Sequence, residues 1–148
     1  MSVDLGGTAD GLELNGIFAR MLGVWYPKGY VVAALDARAG VAAVEDLLAA
    51  GVGGDGIHLH DSLQVLGSVA AIHGRGTRLR RDGATFTGAL SAEGLLRQEY
   101  LDEAGAGASL IAVLADEPAR VDQVRSILAA QGARGIRFYG DGFVTALT

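Results

Sequence analysis

Two stretches of the chain carry the same order of apolar and polar positions. Residues 30–60 read YVVAALDARAGVAAVEDLLAAGVGGDGIHLH, and residues 110–139 read LIAVLADEPARVDQVRSILAAQGARGIRFY. Laid over one another, they share Asp36/Asp116, Ala39/Ala119, Val41/Val121, Val44/Val124, Leu48/Leu128, Ala49/Ala129 and Ala50/Ala130. Each begins with a short, near-continuous apolar run, Tyr30–Leu35 and Leu110–Leu114, the pattern of a strand covered on both faces. An aspartate closes each run. Then Val41, Val44, Leu47 and Leu48, and in the second copy Val121, Val124, Ile127 and Leu128, recur at helical spacing and predict one apolar stripe per helix. Burying four such side chains is worth roughly 6–12 kcal/mol before conformational entropy is subtracted. Gly51 and Gly132 stand where a helix C-terminal cap belongs. Each unit ends on an alternating strand: Ile57 and Leu59 against His58 and His60, then Ile136 and Phe138 against Arg137 and Tyr139.

Two strand–helix–strand units in one chain predict an α+β fold, a ferredoxin-like double βαβ sandwich with both repeat helices on one sheet face. The expected organisation is an N-terminal amphipathic helix and linker over 1–29 and a ferredoxin-like domain over 30–148. That domain comprises repeat one (30–60), a helical insert (61–107), repeat two (108–139) and a terminal edge strand (143–147).

The insert is too long for a bare loop. Asp61 or Ser62 can cap a helix running to about residue 73, with Leu63, Leu66, Val69 and Ala70 inward. Residues 77–87 suit a hairpin around Asp82-Gly83. Ser91 starts a second helix to about Ala104, with Leu95, Leu96 and Tyr100 inward. Near the front, Leu14, Ile17, Phe18, Met21, Leu22 and Trp25 make a helix with a broad apolar face. Both first strands of the repeats are apolar at both parities, so the sheet face away from the repeat helices must also be covered. A second subunit, the N-terminal helix or the middle helices could supply that cover, and a homodimer with some cover from the insert is the favoured solution.

Composition narrows the function classes. The chain has 148 residues, one domain's worth, half of them hydrophobic. It has no cysteine, which excludes disulfides and thiolate chemistry. A net charge of −5 argues against a general nucleic-acid footprint. No apolar run reaches the roughly 18–20 residues of a membrane span. Asp4, Asp10 and Glu13 sit where a signal peptide would carry lysines. A cytoplasmic protein with neither nucleic-acid nor membrane partners is the expectation.

Candidate chemistry is sparse. His58 and His60 lie on one strand face, about 7 Å apart by strand rise. With His73 or Asp61 they form a candidate metal set. Gly51-x-Gly53-x-x-Gly56 spells the dinucleotide fingerprint but follows a helix and precedes a strand, the reverse of what that fingerprint needs. Arg75, Arg78, Arg80 and Arg81 cluster in a glycine-flanked stretch, and arginine forks suit phosphate or carboxylate, so Arg78 and Arg80 are candidate ligand contacts. No nucleophile motif stands out, no cofactor is implied and no catalytic residue is assigned. His58, His60, Arg137 and Tyr139 would together line a polar seam at the dimer contact, a natural small-ligand site.

The strand and helix YVVAALDARAGVAAVEDLLAAG, the later SAEGLLRQEYLDEAGAGASLIAVLAD and the closing ARVDQVRSILAAQGA resemble the bacterial general-stress or heat-induced stress proteins. The resemblance spans about residues 30–139. It implies a small stress-associated domain of duplicated βαβ type and supplies no catalytic residues. Three readings follow. The first is a non-catalytic regulatory or stress-associated binding module, homodimeric, with a ligand in the seam. The second is a metal-dependent or other small-molecule enzyme using His58, His60 and Tyr139. The third is a structural interaction protein docking a partner through its N-terminal helix.

Overall fold

The computed structural model describes residues 3–5, 17–18, 21, 26–67 and 92–147, with side chains from residue 98 onward in the last stretch. In chain order the elements are β1 (Tyr30–Leu35), α1 (Ala37–Ala49), β2 (Ile57–His60), α2 (Ala92–Gly105), β3 (Ser109–Leu114), α3 (Pro118–Ala130), β4 (Arg134–Tyr139) and β5 (Val144–Ala146). The fold is α+β. Its five strands form one sheet in the order β2-β3-β1-β4-β5, every neighbouring pair antiparallel. Each βαβ unit is therefore split: β3 lies between β1 and β2, and β1 lies between β3 and β4. That arrangement is compatible with a ferredoxin-like fold.

Helices α1, α2 and α3 stop in the same way. Gly51, Gly107 and Gly132 have φ of +90°, +100° and +77°, and the next residue's N–H reaches back to the C3 carbonyl. Val52 N donates to Leu47 O at 3.0 Å, Ala108 N to Glu103 O at 3.0 Å and Ala133 N to Leu128 O at 3.1 Å. These are Schellman motifs, and they need glycine because its left-handed conformation costs other residues free energy.

Each sheet face has its own core. On one face Val31, Ala33, Leu35, Ile57, Ile111, Val113 and Ile136 pack under α1 and α3. On the other, Val32, Ala34, Leu110, Ala112 and Tyr139 are covered by Tyr100 and Ala104 of α2, Val65, and the helical residues Ile17, Phe18 and Met21. The second face, expected to be closed largely by a dimer partner, is thus closed by the chain itself. The insert and the N-terminal residues bring enough apolar side chains to do so.

Two predicted stripes need correction. In α1 the buried residues are Gly40, Ala43, Val44 and Leu47, whereas Val41 and Leu48 are 56% and 46% exposed. Gly40 is the reason: without a side chain it lets the helix settle against β2, and a Cβ there would lie 2.8 Å from Leu59 Cδ1. The equivalent helix α3 buries Val124 and Leu128. In the insert, residues 62–67 are helical, but Leu63 and Leu66 face out, at 79% and 38% exposure, and Val65 is buried. Asp61 sets that phase. Its Oδ1 accepts from Gln64 N while its own N–H donates to Gln64 Oε1, both at 2.8 Å. This reciprocal capping box starts the helix at Asp61 rather than Ser62 and turns Val65 onto the sheet.

The N-terminal residues also add to the sheet. Asp4 forms a parallel bridge with His58; its N–H donates to Ile57 O at 3.0 Å, and its carbonyl accepts from Leu59 N at 2.8 Å. The β2 edge is thereby partly covered. The opposite edge, β5, carries Phe143 at its start with 69% exposure. Residues 77–87 lie outside the described residues. Among the described residues no helix is long and apolar enough to cross a membrane.

Candidate functional site

His58, His60, Arg137 and Tyr139 do share one sheet face, as their parity predicts. The register places His58 opposite Ala112, Ala112 opposite Val32 and Val32 opposite Arg137. The two halves are nonetheless three strand spacings apart, about 14 Å. They do not form one seam, because α2 and the apolar residues above Val32 and Ala112 fill the space between.

The histidine end is a hydrogen-bonded clip. Asp4 Oδ2 lies 2.8 Å from His58 Nδ1 and 3.0 Å from His60 Nε2. The Nδ1–H tautomer of His58 and the Nε2–H tautomer of His60 let both rings donate to the one carboxylate oxygen. His60 is buried, edge-on to the Phe18 ring at a centroid distance of 4.8 Å. His58 Nε2 is buried with no hydrogen-bond partner among the described residues. No group of three or more histidine, aspartate or glutamate side chains among the described residues is placed to hold a metal. His73, the third expected ligand, lies outside the described residues.

The arginine end is an internal tie between β4 and α2. Arg137 Nη2 lies 3.0 Å from Glu99 Oε2. The Tyr100 hydroxyl donates to Gly135 O at 2.9 Å, with Val32 O 3.3 Å away. Burial pushes the Tyr100 phenol up to about 12, against the lowering influence of nearby Arg137. Burial also raises Tyr139, reinforced by Tyr100. Burial pulls Arg137 down, but its contacts with Tyr100 and Glu99 prevail and hold it above the ordinary arginine range. Tyr139 is sealed further by Tyr26, whose ring stands edge-on at 5.3 Å and whose hydroxyl reaches Gly140 O at 2.8 Å. These side chains are partnered within the fold. Arg78 and Arg80 lie outside the described residues.

Concave space lies elsewhere. A cavity of about 570 Å³ opens between the N-terminus of α3, the β4–β5 hairpin and the Lys28-Gly29 turn. Pro118, Val121, Phe138 and Leu147 give it an apolar floor. Asp116, Glu117, Asp122 and Asp141 stand around it with Lys28, and Lys28 Nζ pairs with Asp141 Oδ1 at 3.2 Å. Glu117 occupies the N-cap position of α3 yet makes no side-chain cap bond. Three local features build this groove. Pro118 fits the first helical turn; Gly142, at φ +94°, makes the hairpin turn; and Gly140 N donates to Phe143 O at 3.0 Å to close it. None of the groove residues was a candidate on sequence grounds. Only the Gly140-Asp141-Gly142 turn signal lay nearby, and the groove depends on where β5 folds back relative to α3.

Comparison with protein-family models, with curated proteins and with solved structures finds no match to this chain.

Proposed function

We propose that this chain is a non-catalytic binding module that takes a small ligand in the groove between the α3 N-terminus and the β4–β5 hairpin. The observation that carries the reading is the cavity: about 570 Å³ with an apolar floor and convergent polar groups, within the size range of small-molecule sites. The engagement of His58 and His60 with Asp4, and of Arg137 and Tyr139 with α2, supports reading the groove as the site instead. A regulatory or stress-associated role remains the setting that the resemblance implies.

The groove can be blocked without touching a core. Thr145 is exposed on its wall, so Thr145→Trp should leave the unfolding free energy within about 0.5 kcal/mol of the parent. It should also abolish the thermal shift given by any small molecule that stabilises the parent. A stabilising ligand whose effect survives Thr145→Trp unchanged binds elsewhere, and the groove reading fails.

Self-association through β5 is a second reading, favoured by one observation. The β2 edge is bridged by Asp4, while β5 ends the sheet with Phe143 exposed beside it. Antiparallel pairing of two β5 edges would make a homodimer without using the closed sheet face. Native mass spectrometry of the parent and of Phe143→Asp tests it: a dimer lost in the variant supports the reading, and a monomeric parent at micromolar concentration ends it.

A further inference from the structure

The carboxylates of this protein are used unevenly. Among the described residues, eight have a partner: Asp4 with His58 and His60, Asp36 and Glu103 with Arg134, Asp46 with Gln131, Asp61 with Gln64, Glu99 with Arg137, Asp102 with Gln98 and Asp141 with Lys28. Five make no hydrogen bond or ion pair: Glu45, Asp55, Asp116, Glu117 and Asp122. Three of those five, Asp116, Glu117 and Asp122, line one cavity. Folding leaves them unspent around an apolar floor.

Two opposed fields meet there. The α3 N-terminus contributes about half a positive charge, and on its own it would invite an anion. Pro118 supplies no N–H to that end, and three unpaired carboxylates outweigh half a charge several times over. Lys28, the one cation among the described residues on the rim, is already paired with Asp141. The net field in the groove is negative, and the floor is aliphatic and aromatic.

We infer that the ligand of this groove is a small organic cation with an apolar body: an ammonium group among Asp116, Glu117 and Asp122, and a hydrocarbon portion on Val121, Phe138 and Leu147. The inference rests on the groove being a ligand site and adds the ligand's class.

Three probes of one length separate the alternatives: hexylammonium, neutral hexanol and anionic hexanoate, titrated calorimetrically into the whole chain at low ionic strength. Hexylammonium is expected to bind tightest. Its affinity should fall as salt rises, and it should weaken about fivefold for each of Asp116→Asn and Asp122→Asn, the worth of one unit charge at about 4 Å in water. Both positions are exposed, so the variants should fold as the parent does, checked by an unchanged melting temperature. Equal binding of hexanol and hexylammonium would overturn the cation inference and leave the groove reading standing. Preference for hexanoate would overturn it in favour of the helix terminus. Binding of a hexa-arginine peptide with none of the three probes would replace the small ligand by a basic chain segment. No binding by any probe, in parent or in Thr145→Trp, would sink both readings.

Discussion

At the scale of single residues, the most telling side chains are the two buried tyrosines. Tyr100 is fully buried and donates to the carbonyl of Gly135, a residue held at φ +60°. Its phenol is raised from 10 to about 12, chiefly by burial, and Tyr139 is raised as well. Both groups hold their protons more tightly in the folded chain than in the unfolded one. Their contribution to stability is therefore complete below pH 10 and is lost as the pH rises towards and through about 12. The unfolding free energy from denaturant titrations should be flat up to about pH 9.5 as far as these groups decide it and should fall above that. Phenolate absorbance from these two residues should appear together with unfolding rather than before it. Tyr100→Phe should lower stability at neutral pH by about 1 kcal/mol, because the hydroxyl's bond to Gly135 O is lost while Arg137 Nη1 still donates to that carbonyl at 3.2 Å, and it should make the alkaline decline shallower. Ionisation of both phenols with the fold intact would show that the burial argument is wrong.

At the scale of elements, glycines decide how closely helices and strands approach, and two of them make opposite predictions. A Cβ at Gly40 would meet the methyl end of the Leu59 side chain at 2.8 Å. That end can rotate, and alanine gains roughly 0.5–1 kcal/mol over glycine inside a helix, so Gly40→Ala should be close to neutral. A Cβ at Gly56, in the 3-10 turn before β2, would lie 2.9 Å from Leu114 Cβ. That atom is fixed by the β3 backbone, so Gly56→Ala should cost about 1–3 kcal/mol in a chemical denaturation experiment. Equal melting temperatures for the two variants would contradict this reading.

The same elements show what the sequence could and could not convey. Local signals were legible: the apolar run that became β1, the glycines that became Schellman caps, and the Gly140-Asp141-Gly142 turn into β5. The demand for cover on both sheet faces was also legible, since apolar residues at both parities require it. The phase of short helices was not. Leu63 and Leu66 turn outward because a capping box at Asp61 fixes the helix start, and Leu48 turns outward because Gly40 draws the other side of α1 onto β2. The Asp4 bridge rests on three residues, too few for a period. The groove is made by segments distant in sequence, Lys28, α3 and the β5 hairpin, so no local pattern announces it.

At the scale of the whole molecule, the sheet is a central layer with two covers drawn from the same chain. One cover, α1 and α3, comes from the two βαβ units. The other is assembled from α2, Val65 and Ile17, Phe18 and Met21. This changes the expected behaviour of the N-terminal residues. If the apolar face near residue 18 were free to dock a partner, removing residues 1–28 would leave a folded domain. Here Phe18 is fully buried, edge-on to His60, and Asp4 ties both histidines to the sheet edge. Truncation of an aromatic of this size to alanine typically costs about 3–5 kcal/mol, a large part of the roughly 5–15 kcal/mol that holds a domain together. Phe18→Ala should therefore lower the melting temperature sharply, and deletion of residues 1–28 should leave a chain that fails to fold cooperatively, since Val32, Ala34, Leu110 and Ala112 would lose part of their cover. Circular dichroism melts of the two variants check this directly. A deletion variant that melts as sharply as the parent would mean that α2 closes the second face alone, and the N-terminal helix would again be available to a partner.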